Sequence, residues 1–451
     1  MQAIPPELLA RLSRPGPRYT SYPTANVFDE RTGPAEQAAA LARTGASGRP
    51  ISLYVHLPFC RSLCHYCACN VVVSQKRGIA SSYLDALELE VGLVSAALGA
   101  RPHVSQLHLG GGTPTFLDCA ELRRLHGILA AAFDLELEPG DERAVEVDPR
   151  VTTREQLATL AALGWNRASF GVQDMDPDVQ LAINRLQPRE LTAAVVAHAR
   201  ELGFQGINVD LVYGLPFQTP LTFARTLEAV LELRPDRVAL YSYAHVPWMR
   251  PAQRRFDTKG YPLPGPEEKF ALFRLAVERL EGAGYDHLGM DHFALPSDEL
   301  ARARAAGTLH RNFQGYTVRR ADDLIGLGVT SISDHSGVYA QNQKDLTAWE
   351  QALGAGRLPT ERGWQLSAED LRRREAIMAL MTGAPLPAGF AADYAEELAG
   401  MDDLEQDGLV RRSAEGLEVT ALGRFFIRNV AMRFDRYLGT GVGAPTFSRT
   451  V

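Results

Sequence analysis

The chain has 451 residues, 45% of them hydrophobic, and its 47 basic and 54 acidic side chains leave a net charge of −7. That length exceeds one ordinary core and predicts a large domain with a smaller one, while the acidic balance speaks against nucleic acid as the main partner. No apolar run is long enough to span a bilayer and no leader peptide is visible, so a cytoplasmic protein with no membrane span is expected.

The first segment, residues 1–48, shows little periodicity. Its stretch Pro15-Gly16-Pro17-Arg18-Tyr19-Thr20-Ser21-Tyr22-Pro23-Thr24 sets rigid prolines beside aromatic rings and one arginine. An extended arm lying over the main domain, as a lid on a site, is expected.

From residue 51 to about 247 a short β-rich run, a loop and an amphipathic helix alternate. Strands are predicted at Ser52–Leu57, Gln106–Leu109, Ala144–Val147, Ala168–Val172, Ile207–Val212 and Val238–Tyr243. After the first, Leu84, Leu87, Val91, Val94 and Leu98 recur at helical spacing. After the third, Thr152 and Glu155 read as a capping box and Gly164 as a helix stop. After the fifth, Thr219-Pro220 supplies a cap and a first-turn proline. Repeated βα units predict a parallel sheet with right-handed crossovers. Six fall short of a closed eight-unit barrel, so the expected fold is α/β, an open partial (βα)6 barrel, with an open doubly wound sheet as the alternative.

The loop after the first strand carries the chemistry. Cys60, Cys64 and Cys67 follow a C-x3-C-x2-C spacing, with Cys69 close behind and Cys119 far off. Three thiolates on a tight loop can hold three corners of a four-iron cluster and leave the fourth iron open. Disulfides do not suit a reducing compartment, and a zinc site would show a second ligand pair. Cys69 sits too near Cys67 for an extra ligand and reads as a reactive neighbour, while Cys119 reads as inert. The second strand runs into Gly110-Gly111-Gly112-Thr113, where a ligand can approach the backbone. The other strands end in Glu146-Val147-Asp148, Gln173-Asp174, Asp210 and Tyr243-Ala244-His245. Polar residues at the C-terminal ends of parallel strands ring one mouth, where such folds keep their chemistry.

Residues 248–360 read as an appendage to the barrel, with Phe273, Ala276, Val277 and Leu280 at helical spacing. His292 and His310 read as satisfied polar residues rather than metal ligands. From 361 to 451 a smaller, mostly helical domain is expected. It has a helix Leu371–Met381 capped by Ser367, strands Gly408–Arg412 and Leu417–Val419 around a turn at Glu415-Gly416, and a helix Leu422–Phe434. Helices with a hairpin suggest a winged-helix-like fold. The acidic Asp402, Asp403, Glu405 and Asp407 argue against DNA, so the expected role is to cover the site.

The cysteine spacing resembles that of radical S-adenosylmethionine (SAM) enzymes. Nearly end to end, the chain resembles the oxygen-independent coproporphyrinogen III oxidase (coproporphyrinogen III dehydrogenase) family. The match runs through Pro17–Thr24, the cysteine loop, Gly110–Thr115, Gly171–Asp174, Asp210–Pro216 and Tyr243–His245. It continues through Gly289–Ala294, His310–Thr317, Tyr339–Asn342 and Phe447–Arg449. The resemblance implies one [4Fe-4S] cluster on Cys60, Cys64 and Cys67 and two bound SAM molecules. Tyr54, Gly111, Glu146 and Ile332 would contact the first SAM. Tyr66, standing where the family has Phe, would contact the second with Gly112, Thr113, Gln173, Arg185, Asp210 and Ala244. Cys69 and Tyr54 are the implied catalytic side chains. The stretch Asp334-His335-Ser336-Gly337-Val338 departs from the family pattern near Ile332.

The implied reaction converts two propionates of coproporphyrinogen III to vinyl groups without oxygen, giving protoporphyrinogen IX, a step of haem biosynthesis. 5′-Deoxyadenosine, methionine and carbon dioxide are by-products. A 5′-deoxyadenosyl radical takes a hydrogen from the propionate β-carbon, and a donor such as flavodoxin or ferredoxin supplies electrons to a monomer. Two related readings are a haem-binding chaperone and a haem-degrading methyltransferase. A substrate with four propionates needs cations, and Lys occurs only at Lys76, Lys259, Lys269 and Lys344. Arg18 on the arm is therefore expected to orient a propionate, and Arg311 lies in another stretch of the match.

Overall fold

The computed structural model describes residues 4–76, 78–318, 323–413, 416–438 and 447–450. Its main sheet holds β1 (Ile51–Leu57), β2 (Val104–Gly111), β3 (Glu142–Val147), β4 (Arg167–Gln173), β5 (Gly206–Tyr213) and β6 (Arg237–Ser242). It also holds β7 (Asp286–Gly289), β8 (His292–Ala294), β9 (Leu324–Leu327), β10 (Ile332–His335), β11 (Val338–Asn342) and β12 (Thr360–Gln365). The strand order is β12-β11-β10-β9-β1-β2-β3-β4-β5-β6-β8-β7, an open sheet. The predicted strands are present, each bound within two residues of its expected place. They pair in parallel in chain order.

The sheet is wider than the six predicted strands. Leu324–Leu327 pairs in parallel with β1, adding a seventh parallel strand. β10, β11 and β12 follow it antiparallel, and β8 and β7 extend the far edge antiparallel. The expected appendage is thus both flanks of the sheet. Leu-Ile-Gly-Leu is too short to show a period, and its side chains are all buried. The boundary placed between residues 360 and 361 falls inside β12.

Local signals hold with small shifts. The helix after β1 spans Gly78–Leu98 and buries Leu84, Leu87, Val91, Val94 and Leu98. Thr219 caps Pro220–Leu233, and Ser367 caps Ala368–Thr382. The capping box after β3 sits one residue later than predicted, on Thr153 and Gln156. Thr152 instead donates its hydroxyl to the Asp148 carbonyl at 2.8 Å. The predicted helix Leu422–Phe434 is broken into Ala421–Phe425, Ile427–Ala431 and a 3-10 turn. Phe426 leaves helical geometry there and buries its ring against Phe270, 5.9 Å away. The hairpin Val410–Ser413 with Gly416–Val419 forms as expected, and Glu415 of its turn lies outside the described residues.

The arm has helices at Pro6–Leu12 and Pro34–Ala46. One apolar core joins β5 and β6 to Leu9, Leu12, Tyr19 and Tyr22 of the arm and to Phe390, Phe426, Val430 and Phe434 near the C-terminus. Both ends of the chain are therefore packed against the same half of the barrel.

Candidate active site

The cysteine loop is held at both ends. Phe59–Cys60 pairs in parallel with Val72–Val73, and the Ser74 amide donates to the Cys60 carbonyl at 3.0 Å. The Cys67 amide closes a turn onto the Cys64 carbonyl. His65 donates its amide to the Ile183 carbonyl, and Asn184 donates its side-chain amide to the Leu63 carbonyl. A short loop with its backbone donors used in this way holds its thiols in place.

The glycine run serves the same purpose. A Cβ on Gly112 would stand 2.7 Å from Pro58 and Phe59 backbone atoms. Gly111 has a φ of 110°, and a Cβ there would stand 2.6 Å from the His56 ring. Only glycine lets the end of β2 meet the root of the cysteine loop so closely. The Gly112 and Thr113 amides donate across this seam to Leu57 and Phe59.

Behind the loop lies a cavity of about 480 Å³ at the C-terminal ends of the parallel strands. Cys60, Cys64, Cys67, Cys69, Tyr66, Gly111, Gly112, Thr113, Glu146, Gln173, Arg185, Asp210 and Ala244 all line it. Tyr54 and Ile332 are not on its wall. Tyr54 stands one layer back, with its hydroxyl 3.1 Å from His56 Nδ1 and its ring stacked on His108. Ile332 lies in β10, opposite Gln341. The atypical stretch 334–338 turns β10 into β11 and packs on the arm helix, where Thr44 and Ser336 hydroxyls meet at 2.9 Å. It does not reach the cavity.

Two guanidiniums bring positive charge to the cysteine loop. Cys64 Sγ lies 3.6 Å from Arg150 and 3.7 Å from Arg185, and Cys60 Sγ lies 3.6 Å from the Thr113 hydroxyl. A hydrogen bond from Cys69 pulls the Cys67 thiol down to about 7, while burial pushes Cys60 up to about 11. Asp148 is bound by Arg150 and Arg185, and together they outweigh burial and keep its carboxyl below the usual range. Asp210 accepts from Ser169 and Asn208 at 2.8 Å, and burial pushes it up to about 6. Glu146 accepts from the Gly111 amide at 3.2 Å and leaves 41% of its side chain exposed.

Sequence reasoning missed Arg150, which contacts Cys64 Sγ while Asp148 holds it, although Asp148-Pro149-Arg150 follows β3 directly. It also placed Asp174 at the mouth. The structure buries that carboxylate behind β4, accepting from Gln218 at 2.6 Å and Thr226 at 2.9 Å. His245 likewise turns away, between Tyr243 and Asp257.

The arm reaches this cavity. Arg18 lines it, as does Ser448 from the C-terminal tail. The two termini pair with each other. The Gly16 amide donates to the Ser448 carbonyl at 3.1 Å, and the Thr450 amide donates to the Arg14 carbonyl at 2.8 Å. Buried Arg428 binds the carbonyls of Gly16, Pro17 and Arg449.

The donor set suits an iron–sulfur cluster, because soft thiolates on a glycine-backed loop select iron–sulfur chemistry. Arg185 Nε is buried without a hydrogen-bond partner, a group suited to a ligand carboxylate. Among the described residues no set of His, Cys, Asp and Glu converges on a single metal ion.

A family model for the radical SAM superfamily matches residues 54–230. Over 454 residues the chain is 43% identical to the oxygen-independent coproporphyrinogen III oxidase of Pseudomonas aeruginosa, covering 99% of this chain and 98% of that one. The corresponding protein of Escherichia coli is 45% identical, with 98% of both chains covered. That of a Helicobacter pylori strain is 42% identical with both covered in full. The solved structure of coproporphyrinogen III oxidase from Escherichia coli, described as a radical SAM enzyme, superposes with a TM-score of 0.88 over 93% of this chain and 98% of that one. The chain belongs to the oxygen-independent coproporphyrinogen III oxidase family of the radical SAM superfamily.

Proposed function

We propose that this chain decarboxylates two propionates of coproporphyrinogen III oxidatively, in the absence of oxygen, to give the divinyl product protoporphyrinogen IX. Each propionate gives up one hydrogen atom, one carbon dioxide and one electron, and a carbon–carbon double bond remains. The observation that carries this reading is a single cavity lined by three spaced cysteines, three carboxylates and three arginines, in a chain alike over its full length to enzymes of that name.

When bound, a [4Fe-4S] cluster and SAM supply the one-electron chemistry. The protein's residues hold and shield. Cys60, Cys64 and Cys67 are the cluster ligands, with Arg150 and Arg185 offsetting their negative charge. Arg185 and Gln173 suit a SAM carboxylate, and Asp210 and Glu146 suit its ammonium or ribose hydroxyls. Lining residues of both implied sets support two SAM molecules, with Tyr54 backing Glu146 from behind. Cys69 acts beside the cluster rather than on it. The arm and tail close the mouth and exclude water.

The chain works as a cytoplasmic monomer fed by a small one-electron carrier such as flavodoxin or ferredoxin. No helix among the described residues is long and apolar enough to cross a membrane. The test is an anaerobic assay with coproporphyrinogen III, SAM and a reductant. A divinyl product with released carbon dioxide supports the reading, and an opened tetrapyrrole or no product defeats it.

A further inference from the structure

A larger cavity, of about 780 Å³, lies outside the barrel, among β7, the helix Ala368–Thr382 and the hairpin Val410–Ser413 with Gly416–Val419. Tyr316, whose hydroxyl donates to the Met381 carbonyl at 2.8 Å, stands between it and the barrel interior. Much of its wall is apolar, with Leu288, Leu380, Leu386, Leu417, Val419 and Ile427. Four arginines also reach it. Two are neutralised by neighbours. Arg411 lies 3.7 Å from Glu418, and Arg412 lies 2.6 Å from both Asp402 and Glu405.

The other two, half-buried Arg304 and exposed Arg424, come from separate elements, the helices Glu299–Ala305 and Ala421–Phe425. Neither guanidinium has a hydrogen bond or ion pair among the described residues. Both line the same cavity, and burial, then the charge of Arg424, hold Arg304 below its ordinary value. Asp286 and Glu281 act on Arg304 only at longer range. His287 in the wall adds no negative charge. Its Nε2 contacts the Met290 carbonyl at 3.0 Å and burial holds it neutral.

Two like charges held beside an apolar wall repel one another unless an anion joins them. Two unpaired guanidiniums on one apolar cavity match two carboxylates on one apolar body. We propose that this cavity is a second ligand site, separate from the barrel cavity, for an apolar dicarboxylate. A tetrapyrrole that keeps two propionates has this chemistry, and so does a long aliphatic dicarboxylic acid. The assignment does not depend on the reaction proposed for the barrel cavity, because binding alone tests it.

Anaerobically prepared holoenzyme is titrated with protoporphyrin IX by fluorescence and with hexadecanedioic acid by calorimetry. The expected result is a site for at least one probe that the double variant Arg304→Gln, Arg424→Gln weakens by roughly tenfold or more. Its iron content, melting temperature and turnover should match the parent, and Arg304→Lys with Arg424→Lys should restore most of the affinity. Weakening of the porphyrin identifies a tetrapyrrole ligand, and weakening of the acid alone identifies an aliphatic one. If neither probe binds, or both bind the glutamine variant as tightly as the parent, the proposal is wrong.

Discussion

Arg18 on the N-terminal arm is ion-paired with Asp291, whose other carboxylate oxygen lies 2.7 Å from His292 Nδ1. Asp291 stands between β7 and β8 and is 5% exposed, so the pair fastens the arm to the far edge of the sheet. Arg18 also stands over the Tyr241 ring, 5.7 Å from its centre, and faces the cavity. The arm thus brings one cation to the mouth.

Replacing Arg18 with Ala should lower kcat/KM for coproporphyrinogen roughly ten- to a hundredfold, the loss of one charged hydrogen bond of about 1.5–3 kcal/mol. Iron content and uncoupled cleavage of SAM should persist, and Arg18→Lys should recover part of the rate. Full turnover by the Ala variant would leave Arg18 a structural tether. Deleting residues 1–25 is a poorer test, because Tyr19 and Tyr22 are fully buried.

The cluster assignment is checked by iron and sulfide content after anaerobic reconstitution. Changing Cys60, Cys64 or Cys67 to Ala should drop both to background and abolish turnover, because each holds one corner. Cys69→Ser should keep the iron and lose product formation. Iron lost with Cys69, or retained in all three Ala variants, contradicts the assigned roles.

Arg428→Ala should release both ends of the chain together. Its guanidinium joins the carbonyls of Gly16 and Pro17 to that of Arg449. Leaving buried carbonyls unpaired costs about 1–3 kcal/mol each, less whatever water repays. Hydrogen exchange should show faster loss of protection at the Gly16 and Thr450 amides, with the β1–β4 amides unchanged. Unaltered exchange at Gly16 and Thr450 would show that the termini hold without this clip.

Glu90 offers a pH test of stability. It is buried, accepting from the Gly328 amide at 2.8 Å and from Asn342 Nδ2 at 2.6 Å, and burial pushes its carboxyl up to about 7. A carboxyl that binds its proton more tightly folded than unfolded stabilises the protein at low pH. That contribution fades as pH rises from about 4.5 through about 7. The swing is on the order of 3 kcal/mol. Glu90→Gln should therefore unfold at a temperature that falls less between about pH 5 and about pH 8 than the parent's. Parallel melting curves would remove Glu90 as the source. Asp174 and Asp210, also raised to about 6, titrate the same way in both proteins and cancel in the comparison.

The sequence by itself determined the parallel half of the sheet, the cysteine loop and most of the residues that line its cavity. Those signals are local. A strand shows its apolar run within a few residues, a cap sits next to its helix, and Cys60, Cys64 and Cys67 share one short stretch. Where a signal was ambiguous at short range, placement slipped. The cap fell on Thr153 rather than Thr152, and a helix pattern ran through Phe426, where packing against Phe270 breaks the helix. The tertiary structure alone decided that Leu324–Leu327 pairs with β1, that the two termini pair over the mouth, and that Arg18 meets Asp291. It also decided that Arg428 reaches Pro17 across 411 positions. A guanidinium that binds backbone carbonyls makes no demand on the identity of those residues, so the chain carries no pattern that announces it. Such contacts exist only once the sheet and the core it shares with both termini have brought distant segments together.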